Sequence, residues 1–244
     1  MVQENIQLHK QDVNIREDSF LQGVKDCIPT LLGYLSIGFA AGVVGNTSGL
    51  SIIEITLMSL LIYAGSAQFI VSGMIASHGS PASIILTVFI VNLRHLLLSA
   101  ALSPYFSRLA PVKTLLIGSL LTDETFGVAI NKTADKDYIS EKWMHGLNIT
   151  AYLNWIVATL AGAFLGQWIT NPEKFGLDFA LPAMFIGLLV IQFVSRGKIA
   201  KDLVVAISAV VIVLGTSFFL SGSIAIIVAT VIAATLGMVV EKWK

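Results

Sequence analysis

Apolar residues along this chain come in runs of about twenty, without the strict alternation of strands or the one-sided stripe of soluble helices. A bilayer core about 30 Å thick takes roughly 20 apolar residues of helix. That ruler predicts spans near 24–44, 52–76, 82–103, 113–131, 147–168, 179–195, 202–219 and 222–240. Turn chemistry separates them: Gly45-Asn46-Thr47-Ser48-Gly49, His78-Gly79-Ser80-Pro81, Pro104 to Pro111, Asn171-Pro172 and Ser195-Arg196-Gly197-Lys198. Only Ser221 and Gly222 join the last two spans, which predicts an antiparallel hairpin. The expected fold is an all-α polytopic membrane protein with about eight transmembrane helices, discontinuous ones among them. Residues 1–19 are polar and of mixed charge, without the pattern of a cleavable signal peptide, and read as a cytosolic tail. Residues 20–244 read as a single transmembrane transport domain.

Composition sharpens this. Of 244 residues 55% are hydrophobic and 12% charged, and mean hydropathy is +0.82. Soluble domains carry about 25% charged residues, so this chain lacks the polar surface that water requires. Zero formal net charge gives no electrostatic footprint for nucleic acid. The single cysteine, Cys27, makes an internal disulfide impossible, and no Cys/His cluster has metal-ligand spacing. No cofactor fingerprint or phosphate-binding glycine loop is present, so neither cofactor nor ATP hydrolysis is expected. An intramembrane enzyme would need a nucleophile–base set or a motif such as H-E-x-x-H, and His95 has no second histidine one turn away.

Basic residues set the expected orientation. With the N-terminus inside, eleven fall on cytoplasmic segments (Lys10, Arg16, Lys25, Lys132, Lys136, Lys142, Arg196, Lys198, Lys201, Lys242, Lys244) against Arg108, Lys113 and Lys174 outside. Both termini are then cytoplasmic. Trp143, Trp168 and Trp243 fall at predicted helix ends, where indole rings favour the headgroup zone.

Three ionisable residues stand out near the midplane of predicted spans, about ten residues from the helix ends: Arg94 in the third, and Asp123 and Glu124 in the fourth. An ionisable side chain at mid-bilayer costs at least a few kcal/mol and is a functional hypothesis by default. One guanidinium neutralises one carboxylate, yet there are two. The surplus acid is the natural proton carrier. Helical position assigns Asp123 to the Ser119–Gly127 face and to Arg94, leaving Glu124 to titrate. His95 reads equally as a hydrogen-bonded core residue or a proton relay.

The second span holds Tyr63-Ala64-Gly65-Ser66-Ala67-Gln68-Phe69 at its centre. Tyr63, Ser66 and Gln68 need partners at that depth, and Gly65 lets the helix unwind. Discontinuous helices of this kind build transporter sites, with half-helix N-termini facing anionic groups. The plain alternative is a small-residue packing face. In the fifth span Tyr152, Asn154 and Trp155 form a second polar-aromatic cluster, which suits packing more than substrate contact.

Three motifs, Y-A-G-S-A-Q-F at 63–69, N-L-R-H at 92–95 and T-D-E-T-F at 122–126, occur in an order and spacing that resemble the AzlC-type proteins of bacterial branched-chain amino-acid exporters. The likeness covers nearly the whole chain after residue 19. It implies secondary export of branched-chain amino acids across the bacterial cytoplasmic membrane, with a small AzlD-type membrane subunit as partner. It adds Asn92 and Thr122 to the candidate residues.

Two function classes follow. In the first, the chain is a proton-coupled exporter of small apolar amino acids, whose zwitterion meets Arg94 and Asp123 or Glu124, with backbone amides near Gly65 as rival carboxylate ligands. In the second, it is a structural or assembly subunit whose charges only lock helices together.

Overall fold

The computed structural model describes residues 19–132, 137–169, 171–176, 179, 182–183, 186–187, 189–190, 193–194, 197–220 and 222–242. The described elements are all helical. Residues 1–18 of the tail and eight of the seventeen residues of the expected sixth span lie outside the described residues. The chain divides into two compact units, Met1–Leu181 and Pro182–Lys244.

Two long helices form the frame of the first unit: α1, Phe20–Thr47, and α7, Glu141–Gly166. At 1.5 Å per residue, each is about 40 Å long and crosses a bilayer. They run parallel in continuous contact. Gly23 lies on Trp143 and Leu147 near one end, Gly38 on Trp155 and Ala158 midway, and Gly42 on Thr159 and Ala163 near the other. Gly146 and Gly162 return the contact against the backbones of Phe20 and Phe39. Small residues at these positions let the two backbones approach, as helices in lipid require where no hydrophobic effect drives them together.

This frame is a ruler of depth, and it changes the reading of the second and fourth expected spans. Residues 52–76 form two half-length helices, α2 (Ile52–Leu61) and α3 (Gly65–Ala76). Ile55 and Ser72 both lie against Gly45 near the end of α1, while the Leu60 carbonyl accepts from Tyr152 Oη (2.9 Å) at the middle of α7. Gln68 Nε2 donates to Ser59 Oγ across 3.0 Å. In one straight helix those residues would stand about 13 Å apart. The segment therefore enters from the far end of the frame, turns at mid-depth and returns.

The fourth segment mirrors it from the other end. α4 (Pro81–Leu102) brings the chain back, so that the Tyr105 carbonyl accepts from Ile139 N. α5 (Pro111–Ser119) starts where Lys113 Nζ meets Glu141 Oε2 at 2.8 Å, at the head of α7. α6 (Asp123–Lys132) ends where Lys132 Nζ lies 3.5 Å from Asp26 and 4.5 Å from the centre of the Trp143 ring. Both ends of the pair thus sit beside the starts of α1 and α7, and its turn meets Tyr34 at the middle of α1.

Three expectations are corrected here. Residues 52–76 and 113–131 each fold back and do not cross. Lys113 shares an end with Glu141 and Lys142, so it is not on the side opposite to them. Trp143 is fully buried, with its indole donating to Asp26 Oδ2 at 2.7 Å, because that acid on α1 offers it a partner inside the protein. Trp168 is 80% exposed, and Trp243 lies outside the described residues.

In the second unit α8 (Ile199–Ser217) and α9 (Gly222–Lys242) pair. Gly237 near the end of α9 lies against Val205 near the start of α8, as an antiparallel hairpin requires.

Two measurements test this architecture. A Cβ at Gly42 or Gly162 would collide with the facing backbone, so Gly42→Ala and Gly162→Ala should each cost about 1–3 kcal/mol, seen as a lower melting temperature in detergent. Gly33→Ala and Gly73→Ala, which face open space, should leave it unchanged or slightly raised. In a Cys27→Ala background, Ser59→Cys with Gln68→Cys should be joined by a short bifunctional thiol reagent; two uncrosslinked thiols would favour a continuous helix.

Candidate functional site at the two half-helix turns

Both folded-back segments break for local reasons. α2 ends where the Ile62 and Tyr63 amides both bond the Met58 carbonyl, and Tyr63 adopts φ 45°, the left-handed conformation that closes helices but suits glycine better. Gly65 then opens α3 against the face of Trp155, where a side chain would press on the ring. In the other segment Thr122 caps α6: its Oγ1 accepts from Thr125 N (3.3 Å), and Thr125 Oγ1 accepts from Thr122 N (2.9 Å). Asp123 and Glu124 occupy the first turn, where the helix dipole favours acids.

The two acids are therefore not mid-helix residues of a continuous span, a further correction. Ser119 ends one half-helix and Gly127 lies in the next, so the shared face that assigned Asp123 to Arg94 does not exist. The pairing itself does: Arg94 Nη1 lies 2.7 Å from Asp123 Oδ2. The other arm of the guanidinium, Nη2, donates to Ser66 Oγ at 2.8 Å. Arg94, on α4, thus ties the N-terminal turn of α3 to the N-terminal turn of α6. The pair retains 22% and 21% side-chain exposure.

Glu124 has a separate setting. Tyr34 Oη on α1 donates to Glu124 Oε2 at 2.9 Å and also contacts Thr122 Oγ1. Tyr34 stands edge-on to Trp155, and Tyr63 edge-on to Tyr152, with ring centres 5.7 and 4.8 Å apart. His95 Nδ1 bonds the Leu121 carbonyl at 3.0 Å. That carbonyl is left over by the break; the Ile117 carbonyl, bonded weakly by Leu120 N (3.4 Å), also accepts from Asn148 Nδ2 (2.9 Å). In a bilayer every such group needs a protein partner or water.

One set of groups is left open. α3 has no side-chain cap, and among the described residues the amides of Gly65, Ser66 and Ala67 meet no acceptor. The buried Tyr63 hydroxyl and Asn92 Oδ1 also lack a hydrogen-bond partner. Gln68 does not join the centre: it bonds Ser59 and, through Oε1, Trp155 Nε1 (3.2 Å). Asn154 Nδ2 bonds the Leu31 carbonyl at 3.3 Å, tying α7 to α1. Of the expected residues, Ser66, Arg94, His95, Thr122, Asp123 and Glu124 cluster at the two turns. Tyr34 and Thr125 complete that cluster; Tyr34 carried no signal as a lone polar residue in apolar surroundings, whereas Thr125 lies within the T-D-E-T-F motif. Among the described residues no group of acids, His and Cys suits a metal.

The sequence profile of the AzlC protein family matches residues 29–169, the region that holds both turns and Arg94. The chain belongs to the AzlC family. Its inner membrane relative YgaZ of Escherichia coli K12 is 31% identical over 231 residues, 93% of this chain and 92% of the relative. The "Branched-chain amino acid transport protein AzlC" of Bacillus subtilis is 27% identical over 206 residues, 82% of this chain and 79% of that protein. No solved structure matches significantly.

Removing one member of the central pair leaves the other charge unpaired at mid-depth, at a cost of about 3–5 kcal/mol. Arg94→Leu alone should lower membrane yield and melting temperature. Arg94→Leu with Asp123→Leu should recover most of both; a double variant as damaged as the single would contradict the pairing.

Proposed function

We propose that this AzlC-family chain is a secondary transporter that exports branched-chain and other small apolar amino acids, coupled to protons. The observation that carries the reading is the meeting of two half-helix N-termini from opposite ends of the frame at Arg94. This arrangement suits a zwitterion. The open amides of Gly65, Ser66 and Ala67 offer donors and a positive dipole end for its carboxylate, and the acids of α6 offer a counter-charge for its ammonium. Arg94 holds the two turns together. Glu124, paired with no cation in the central cluster, is the proton carrier. The printed name of the Bacillus subtilis relative supports the substrate class.

The membrane is the bacterial cytoplasmic one, with the basic end of the frame inside. Among the described residues of the first unit, Lys25, Arg108, Lys113, Lys132 and Lys142 gather at that end, and only Lys174 follows the far end of α7. This asymmetry exceeds the one expected from eight simple crossings. A small AzlD-type membrane subunit works with this chain, the expectation that the family resemblance carries.

The test is counterflow and pH-driven efflux of labelled leucine in vesicles, with and without a candidate small subunit. Glu124→Gln should keep counterflow and lose pH-driven efflux; undiminished proton-driven efflux would remove Glu124 from coupling. The Arg94→Leu, Asp123→Leu double variant should fold without transporting. A double variant that still transports would favour the helix-locking reading.

A further inference from the structure

The first unit repeats one construction in opposite senses. A long helix followed by a fold-back occurs twice, as α1 with α2 and α3 and as α4 with α5 and α6, and the two long helices run in opposite directions. The central contacts cross between the copies. Arg94, the fourteenth residue of α4, donates to Ser66, the second residue of α3. Tyr34, the fifteenth residue of α1, donates to Glu124, the second residue of α6. Tyr34 thus holds the place on its helix that Arg94 holds on the other, and each grips a half-helix of the opposite copy.

The grip of Tyr34 depends on charge. Its side chain is buried, with its ring edge-on to Trp155, and its hydroxyl has one proton to give. An ionised carboxylate only accepts, so that proton lies toward Glu124 Oε2, 2.9 Å away. Thr125 Oγ1 donates to the Thr122 carbonyl at 3.4 Å, which leaves the Thr122 proton for Tyr34 Oη. Thr122, Tyr34 and Glu124 then form an ordered chain that ends on the charge. When a proton from water adds to Glu124, one O–H bond forms and no other covalent bond changes. The bond from Tyr34 is then no longer charge-assisted and loses about half its strength.

The other titratable and charged groups of the surrounding elements are engaged elsewhere. Asp123 pairs with Arg94, and His95 of α4 bonds the Leu121 carbonyl. Tyr63, beside Tyr34 at the α3 turn, stands edge-on to Tyr152 of α7. Glu141, Lys142 and His145 occupy the first two turns of α7 at the basic end, where Asp26 of α1 takes Lys132 of α6. Lys25 adjoins Asp26, and Cys27 lies against Thr30 on its own helix. Tyr34 is the group whose hydrogen bond answers directly to a proton on Glu124.

We propose that Tyr34 is the positioning residue of the proton site: it clamps the α6 turn to α1 while Glu124 is ionised and loosens that hold when Glu124 takes a proton. This role rests on the reading of Glu124 as proton carrier and names the group that senses its charge. A hydrogen bond to the charged form favours that form, so removing the hydroxyl moves proton release to higher pH.

The experiment follows the protonated-carboxyl infrared band of full-length protein in proteoliposomes across a pH series, with Glu124→Gln identifying the band by its loss. Tyr34→Phe keeps the ring on Trp155 and should raise the midpoint of that band by about one to two pH units. The pH profile of leucine efflux should move by the same amount. A purely structural role for Tyr34 would lower melting temperature and leave both midpoints in place, which would overturn the proposal. Without substitution at Tyr34, a tyrosine ring band should change in step with the Glu124 band and stop doing so in Glu124→Gln. A tyrosine signal indifferent to that titration would overturn the proposal even where Tyr34→Phe fails to fold. Efflux unaffected by Glu124→Gln, beside a shifted carboxyl band, would sink the carrier role of Glu124 and leave the hold of Tyr34 on it standing.

Discussion

The guanidinium of Arg94 is the interaction on which the centre of the first unit depends. One arm binds a carboxylate at the start of α6 and the other a hydroxyl at the start of α3. Both are first-turn residues of half-helices, whose dipoles point positive ends at the same place. Two such ends and a guanidinium would repel one another without a compensating acid. Asp123 supplies it. The central charges therefore balance only as a set, which is why the two turns and α4 belong to one structure.

Breaking a helix in a membrane strands backbone groups, and the protein meets that demand with side chains from intact helices. α7 provides Tyr152 for the Leu60 carbonyl and Asn148 for Ile117; α4 provides His95 for Leu121. The polar residues of the fifth span thus have a structural task. They hold the ends of the broken segments in place, and the close α1–α7 pair supplies the rigid surface against which they do so. Among the described residues the backbone amides at the start of α3 are left open, because the next residues supply neither cap nor acceptor.

The helical class, the long crossings and the break near Gly65 were all readable from the sequence. Run length reports length and apolarity, and a glycine beside small polar residues marks a place where a helix can open. The fold-back was not readable, since a mostly apolar run of 25 residues has the same composition whether it crosses or turns. The second break did leave a signal. Thr122-Asp123-Glu124-Thr125 is a helix start, a hydroxyl cap followed by two acids, and the ruler of span length overrode it. Charge neutrality demanded that Arg94 pair with one of the two acids, and that this acid is Asp123 was reached on a wrong geometric argument. Tyr34 and the Asp26–Trp143–Lys132 contact stayed hidden because each depends on long-range packing of α1 against α6 and α7.

The two turns differ in one respect that gives the centre a direction. The α6 turn is closed upon itself: Thr122 and Thr125 cap it, Tyr34 binds Glu124, and Arg94 holds Asp123. The α3 turn is tied to Arg94 through Ser66 and keeps three amides open. A carboxylate arriving there would gain hydrogen bonds without displacing any protein acceptor. At the α6 turn it would have to compete with two acids already in place. An ammonium faces the reverse situation. On the transport reading proposed above, the two turns would answer the two ends of a zwitterion separately, and a substrate lacking either charge would leave one of them unanswered.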